Sequence, residues 1–279
     1  MILQLLLKPL TTREISYIII IIIQVLLAIV LIYKVRKTKI KNLWILALLS
    51  IAQAIVYINI LSGGRRIANQ ILASTEQLSW LVIGSIFYVI YYYFVISLSY
   101  FLIVVFINKT FYKKRNTGFL LVLIISIFAA IILTSIQIID PYYSKYPDIS
   151  PHIFVWSHFV LVAVPNIWCS QTILKEYMNY RKLDIEPWIR WRYFIAGTAH
   201  LVYATLGFAQ IIWILFGDLQ TGTWWLLFTT YVFTILSFFA WAMPKFLKDF
   251  FNRNYKETTE PPLSEEDFRN LIKKKDNNS

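Results

Sequence analysis

The chain has 279 residues, of which 58% are hydrophobic and 15% charged, and its formal net charge at pH 7 is +12. Because the apolar residues are collected into long runs and the basic residues lie between them, this charge indicates membrane topology and not a nucleic-acid-binding domain. The only cysteine, Cys169, has no partner in the chain, which excludes an intrachain disulfide.

Seven apolar segments follow one another along the chain, and each is long enough for a helix that crosses about 30 Å of hydrocarbon. They comprise residues 15–33, 42–61, 78–107, 118–139, 151–173, 193–216 and 222–243. The sequence therefore predicts an all-α membrane protein with a seven-transmembrane helix domain over residues 15–243. An outer N-terminal segment of residues 1–14 precedes this domain, and a cytoplasmic tail of residues 244–279 follows it.

Basic residues are distributed unequally between the two sides of the predicted bundle. Of the 27 Lys and Arg residues, 22 lie on the side of the C-terminal tail, and the other side has Lys8, Arg13, Arg65, Arg66 and Lys145. The positive-inside rule then places the N-terminus outside and the C-terminus in the cytoplasm. We expect an integral protein of the plasma membrane whose cytoplasmic face attracts anionic lipid.

The predicted connections are short, with outer loops around Gly63 to Arg66, at Asp140 to Ser150 and at Gly217 to Gly222. Segment 78–107 is long enough that its helix must tilt or project from the bilayer. Within the fifth segment, Pro165 removes a helical hydrogen bond and is followed by Asn166, so the pair predicts a kink that could act as a hinge.

The tail contains two amphipathic stretches separated by Pro261 and Pro262. After Pro244, apolar residues including Phe246 and Phe250 recur on one helical face, which predicts a helix on the inner leaflet. Beyond the prolines, the sequence from Ser264 predicts a short terminal helix. A helix that docks a cytoplasmic partner and a solvated tail are both compatible with this pattern.

The types of polar residue within the segments argue against several kinds of chemistry. No Asp, Glu, Lys or Arg lies well inside a segment, which disfavours proton pumps and carboxylate-dependent hydrolases. Segment 222–243 contains no lysine for a retinal Schiff base. The three histidines, His152, His158 and His200, are expected at different depths and do not predict a metal site. We therefore expect a protein without a cofactor that is not an enzyme.

One set of residues in the predicted outer half could line a small-molecule pocket, since it combines aromatic side chains with a few polar groups. His158 and Gln210 should lie at similar depth, with tyrosines of the third segment opposite and tryptophans at the mouth of the seventh. The predicted ligand-binding residues are Tyr88, Tyr91, Tyr92, His158, Gln210, Trp224 and Trp225. Ordinary helix packing and an interfacial aromatic belt would also account for them.

The stretch from Glu186 to the tail, including Ala240 to Lys245, resembles uncharacterised seven-helix proteins of archaea and the membrane halves of some prokaryotic seven-helix sensor kinases. This resemblance implies sensing or anchoring. We accordingly predict a receptor-like or sensor-like protein that binds a small apolar or amphipathic ligand and signals through its basic loops and tail. A transporter or channel for a neutral or anionic solute and a scaffold that recruits a cytoplasmic partner remain open alternatives.

Overall fold

A computed structural model describes residues 11–74, 79–112, 116–143, 145–181, 185–216, 219–253 and 255. Within these ranges the chain forms helices and no strands, as the sequence predicts. The helices are α1 (Thr12–Thr38), α2 (Leu43–Ser62), α3 (Gly64–Ser74), α4 (Trp80–Phe111), α5 (Thr117–Ile139), α6 (Ser150–Tyr180), α7 (Pro187–Ala204), α8 (Gly207–Phe216), α9 (Leu219–Ala242) and α10 (Lys245–Asn252).

Six of these helices are long and apolar enough to cross a membrane: α1, α2, α4, α5, α6 and the Gly222–Ala242 part of α9. Their outward faces expose large apolar side chains, such as Phe94 on α4 and Phe128 and Ile131 on α5. Apolar surface of this extent is stable when lipid covers it and is uncommon on proteins surrounded by water. The fold therefore indicates an integral membrane protein.

The predicted segment 193–216 differs from the other six because it is divided between α7 and α8. At the junction, the N–H groups of Thr205, Leu206 and Phe208 each donate to the carbonyl three residues earlier, at 3.0 Å. These bonds form a tight 3₁₀ turn inside an otherwise α-helical path. The Thr205 carbonyl, which accepts from Phe208, also accepts from the indole Nε1 of Trp225 on α9 at 3.0 Å.

The helices pack in a closed ring. Around it, α1 contacts α2, α2 contacts α4, α4 contacts α5, α5 contacts α6, α6 contacts both α7 and α8, and α9 contacts α7, α8 and α1. A direct contact between α4 and α6 fills the centre of the ring. We call the two ends of the bundle the α3 end, which also carries the loop of residues 140–149, and the α10 end, where α10 packs against α7.

Helix α3 lies where the sequence predicts an outer loop, and that part of the prediction is wrong. Gly63 ends α2 with a positive φ of 68°, a conformation that glycine adopts without strain, and the chain enters α3 at the next residue. With 32 residues, α4 is about 48 Å long, and α3 packs along it. Helix α3 covers part of this end of α4, while Trp80 and Leu81 stay exposed.

At the α10 end, α10 lies in the region where the sequence predicts an amphipathic tail helix. The Asn252 Nδ2 donates to Glu186 Oε2 at 2.8 Å, and the rings of Trp191 and Phe251 stack with centroids 5.4 Å apart. The Lys34 Nζ of α1 donates to the last carbonyls of α9, which fixes the exit of the chain towards α10. The predicted terminal helix after Pro262 lies outside the described residues.

Candidate functional site

One face of α3 points into the bundle. Arg65, Ala68, Asn69 and Leu72 follow the i, i+3, i+4, i+7 spacing of a single helical face. Ala68 and Asn69 are buried, and Leu72 packs against the apolar core of the α3 end. This amphipathic pattern turns Arg65 inwards, whereas the adjacent Arg66 is exposed.

The Arg65 guanidinium lies among aromatic rings of α4 and α6. Its Cζ is 5.6 Å from the ring centroid of Tyr92, 5.5 Å from that of Tyr93 and 5.8 Å from that of Phe154. Its Nη2 donates a 3.0 Å hydrogen bond to Gln137 Oε1 on α5. Three helices of the ring therefore meet at one arginine of α3.

The charge of Arg65 has no acidic partner among the described residues. Withdrawing a guanidinium from water costs several kcal/mol, while each cation–π contact returns about 0.5–1 kcal/mol. The buried carboxylate of Asp140 lies in the same end of the molecule, but its two oxygens accept from the backbone N–H groups of Lys145 and Tyr146. It therefore orders the loop, and Arg65 remains a cation held by aromatic rings, the Tyr92 hydroxyl and the Gln137 amide.

Three buried polar atoms around Arg65 have no hydrogen-bond partner: the Tyr93 hydroxyl, Asn69 Oδ1 and His158 Nδ1. Asn69 is four residues from Arg65 on the same face and shares its acceptor, since Asn69 Nδ2 also approaches Gln137 Oε1 at 3.5 Å. His158 stacks on Phe154 at 6.1 Å. Buried polar atoms in folded proteins are nearly always paired, so three unpaired ones beside a partly buried cation require an explanation.

The loop of residues 140–149 closes one side of this cluster through Tyr143. Tyr143 has a positive φ of 58°, which is strained for a bulky residue. Its hydroxyl accepts from Gln137 Nε2 at 3.0 Å, and its ring is 5.5 Å from that of Phe154. Burial raises the pKa of Tyr143 to about 12, although the nearby Arg65 charge opposes this change, so the phenol is neutral at physiological pH.

The structure brings two of the predicted ligand-binding residues into this cluster, Tyr92 and His158. Tyr88 lies beside it, and its hydroxyl donates to Asn59 Oδ1 at 3.2 Å. We define the α3-end cluster by its residues Arg65, Asn69, Tyr92, Tyr93, Gln137, Tyr143, Phe154 and His158.

The other predicted ligand-binding residues lie elsewhere. Tyr91 and Trp224 are 45% and 56% exposed on outward helix faces, where interfacial lipid would contact them. Trp225 is also exposed, and its indole N–H donates to the 3₁₀ turn between α7 and α8. Gln210 belongs to α8, and its side chain lies outside the described residues.

The predicted hinge at Pro165 and Asn166 lies within α6, which continues through both residues. Asn166 Nδ2 donates to the Val162 carbonyl at 2.8 Å, and its Oδ1 is 2.8 Å from His200 Nδ1 on α7. This bond joins two helices in the middle of the bundle. Whether α6 bends at Pro165 during function stays a prediction.

Sequence reasoning did not identify Arg65, Asn69, Tyr93, Gln137, Tyr143 or Phe154 as site residues. The sequence does contain a pattern that marks Arg65 and Asn69. Together with Ala68 and Leu72 they recur at helical spacing between two membrane segments. No corresponding signal marks Gln137 or Phe154, which are single residues in long apolar segments. Their importance depends on which helices are neighbours in the ring.

Comparisons with known proteins give no match to a family model, a curated protein or a solved structure. The resemblance to archaeal seven-helix proteins and to sensor kinases therefore stays a prediction. Functional inference for this chain depends on the geometry of its own residues, above all on the α3-end cluster.

Proposed function

We propose that the chain is a receptor-like or sensor-like protein of seven membrane crossings that binds a small apolar or amphipathic ligand at the α3 end. The observation that carries this proposal is the set of unpartnered buried atoms around Arg65, on Tyr93, Asn69 and His158. Each unpaired buried group costs about 1–3 kcal/mol. Ligand binding would remove that cost.

In this proposal α7 and α8 together make the seventh crossing. Residues 187–216 span about 45 Å if they are counted as one helical path, which exceeds the hydrocarbon thickness. The charge distribution supports a cytoplasmic α10 end and an external α3 end. A signal would then travel from the external cluster to the basic loops and tail, where anionic lipid and a cytoplasmic partner could be contacted.

Labelling of single cysteines tests the number of crossings and their direction. In a Cys169→Ala background, a membrane-impermeant maleimide is applied to intact cells that carry Thr11→Cys or Tyr255→Cys. Seven crossings with the N-terminus outside predict that only Thr11→Cys is labelled before the cells are opened. Labelling of both positions or of neither indicates an even number of crossings and contradicts this topology.

The receptor function itself is tested on the full chain extracted with its surrounding lipids. Native mass spectrometry should show a discrete non-lipid molecule retained at fixed stoichiometry, and the double variant His158→Ala/Gln210→Ala should retain less of it. Equal retention by the double variant would remove His158 and Gln210 from the binding site. Retention only of lipid that exchanges freely and has no fixed stoichiometry would contradict the receptor function.

A transporter for a neutral or anionic solute is the second candidate, and the 3₁₀ turn between α7 and α8 favours it. Interrupted membrane helices often mark solute sites in transporters. Near the middle of the bundle, a small cleft is lined by polar residues that include Gln53, Ser237 and His200. Solute flux into proteoliposomes that contain the purified chain distinguishes this function, because a receptor gives none.

A further inference from the structure

We propose that Arg65 binds the anionic group, a carboxylate or a phosphate, of an amphipathic ligand. This inference rests on the proposed ligand-binding function and names the chemical class of the ligand. The charge of the site favours an anionic ligand. Arg65 is partly buried among three aromatic rings, and among the described residues no carboxylate pairs with it. A neutral ligand would leave that charge uncompensated, and a cationic ligand would be repelled.

The geometry of the donors also favours an anion. The planar guanidinium offers five N–H donors in a fork that matches the two oxygens of a carboxylate or phosphate. Nη2 donates to Gln137 Oε1 and the guanidinium also bonds the Tyr92 hydroxyl, so part of the fork remains available. Phenolic oxygens accept hydrogen bonds weakly beside such a charge, whereas an anionic oxygen forms short, charge-assisted bonds.

Two of the unpartnered atoms around Arg65 can donate to the same acceptor. The Tyr93 hydroxyl can donate, and His158 Nδ1 donates in one of the two neutral tautomers. The Asn69 amide keeps its orientation, because its Nδ2 approaches two acceptors at 3.5 Å, Gln137 Oε1 and the Pro141 carbonyl. One anionic group in contact with Arg65 and Tyr93 would thus satisfy atoms that the chain itself leaves unpaired.

The position of the cluster explains why the ligand should also carry an apolar part. Gln137 lies two residues before the end of α5, and Phe154 lies near the start of α6. Arg65 is therefore level with the ends of two predicted spans, at the depth where lipid headgroups meet hydrocarbon. Ile60, Leu72 and Tyr88 are partly buried apolar neighbours of the core at this end, so an attached chain would have apolar contacts.

The test compares laurate with dodecanol, which has the same chain length and no charge. The full chain and its variants Arg65→Gln and Arg66→Gln are placed in nanodiscs of neutral phosphatidylcholine, and binding is measured by titration calorimetry. Arg66→Gln is the matched control, because it removes one positive charge from the exposed side of the same helix. We expect laurate affinity to fall about 10- to 100-fold in Arg65→Gln and to stay unchanged in Arg66→Gln.

Equal laurate affinity in the two variants overturns the inference. So does equal binding of laurate and dodecanol by the wild type, although the proposed ligand-binding function would then survive. If neither amphiphile binds the wild type, both the inference and the proposed function for amphipathic ligands fail. Should Arg65→Gln not fold, Arg65→Lys keeps the charge and loses the fork, and it should still bind laurate more weakly than the wild type does.

The same anion could belong to a free molecule or to a membrane lipid. Nanodiscs that contain phosphatidylglycerol distinguish the sources, since a lipid ligand would compete with laurate in the wild type and much less in Arg65→Gln. Inorganic phosphate without an apolar chain should compete weakly. Competition by phosphate as strong as that by laurate would contradict an amphipathic ligand.

Discussion

Two buried polar groups in this protein are built in opposite ways. In the middle of the bundle, Asn166 uses both ends of its amide, because Nδ2 donates to the Val162 carbonyl and Oδ1 pairs with His200. At the α3 end, Arg65 has no acidic partner among the described residues, and Tyr93 has an unpaired hydroxyl. The chain itself supplies hydrogen-bond partners for the first group, whereas the second group contains an unpaired hydroxyl and a cation without an acidic partner.

If the proposed function holds, this difference separates a group that stabilises the fold from one that recognises a ligand. A paired amide and imidazole join α6 to α7 and contribute to stability whether or not a ligand is present. The α3-end cluster holds a charge and several unpaired atoms, which lowers the stability of the ligand-free protein. Side chains that cost stability at one place are a common feature of binding sites, since the ligand supplies the missing contacts.

The largest effect is expected from His200→Ala in the completed group. It removes a ring that is 2% exposed and lies 5.3 Å from the ring of Phe233, and it leaves Asn166 Oδ1 unpaired in the membrane interior. We expect a loss of at least about 2 kcal/mol of unfolding free energy, measured by detergent-induced unfolding.

A double-mutant cycle with Asn166→Leu controls for the cavity that His200→Ala leaves. The coupling between the two positions should be about 0.6–1.7 kcal/mol, the range for interhelical hydrogen bonds in membranes. Strict additivity would show that Asn166 and His200 do not stabilise each other, and the contrast with the α3 end would lose its basis. Laurate affinity should be unaffected in both single variants.

A smaller effect is expected from Gly64→Ala, which disturbs the incomplete cluster through the position of α3. A Cβ at Gly64 would overlap the phenol of Tyr88 on α4, so α3 must shift or Tyr88 must release Asn59. We expect a loss of about 1–2 kcal/mol of unfolding free energy together with weaker laurate binding, because Arg65 is the next residue. Thermal unfolding and calorimetry measure the two effects.

Gly84→Ala is the matched control for Gly64→Ala, because a Cβ at Gly84 on α4 meets no atom within 4 Å. It should keep laurate affinity and gain slightly in stability, since alanine favours a helix more than glycine does. If both variants bind laurate as the wild type does, the close packing of α3 on α4 is not what positions Arg65.

Most of the helical fold could be predicted from the sequence, because membrane spans are encoded locally by length and hydrophobicity. The segment 193–216 is an exception, because the sequence predicts one helix there and the structure has two. Its apolar run gives no sign of the 3₁₀ turn at Thr205, which is favoured by a bond from Trp225 on a different helix. Helix α3 was also missed, since an 11-residue amphipathic helix between two spans resembles a polar loop.

The site could be predicted only in part, for a physical reason. Tyr92 and His158 have the aromatic and polar character expected of a pocket, and the structure places both beside Arg65. Tyr91 has the same character but points outwards, since one residue along a helix turns the side chain by about 100°. Composition identifies residues able to bind, while the choice among them depends on the order of helices in the ring.

The smallest effect is expected from removing one hydroxyl of the α3-end cluster and, for comparison, one paired hydroxyl elsewhere in the bundle. Tyr57→Phe deletes a hydroxyl that donates to Thr230 Oγ1 at 3.4 Å and should cost about 0.5–1 kcal/mol. Tyr93→Phe deletes a hydroxyl with no partner and should leave the ligand-free protein as stable or slightly more stable, because a buried unpaired group is lost. The order should reverse for laurate affinity, which Tyr93→Phe lowers and Tyr57→Phe leaves unchanged. Equal destabilisation by the two variants would mean that the Tyr93 hydroxyl is already satisfied without a ligand, and the α3-end cluster would then be as complete as the core.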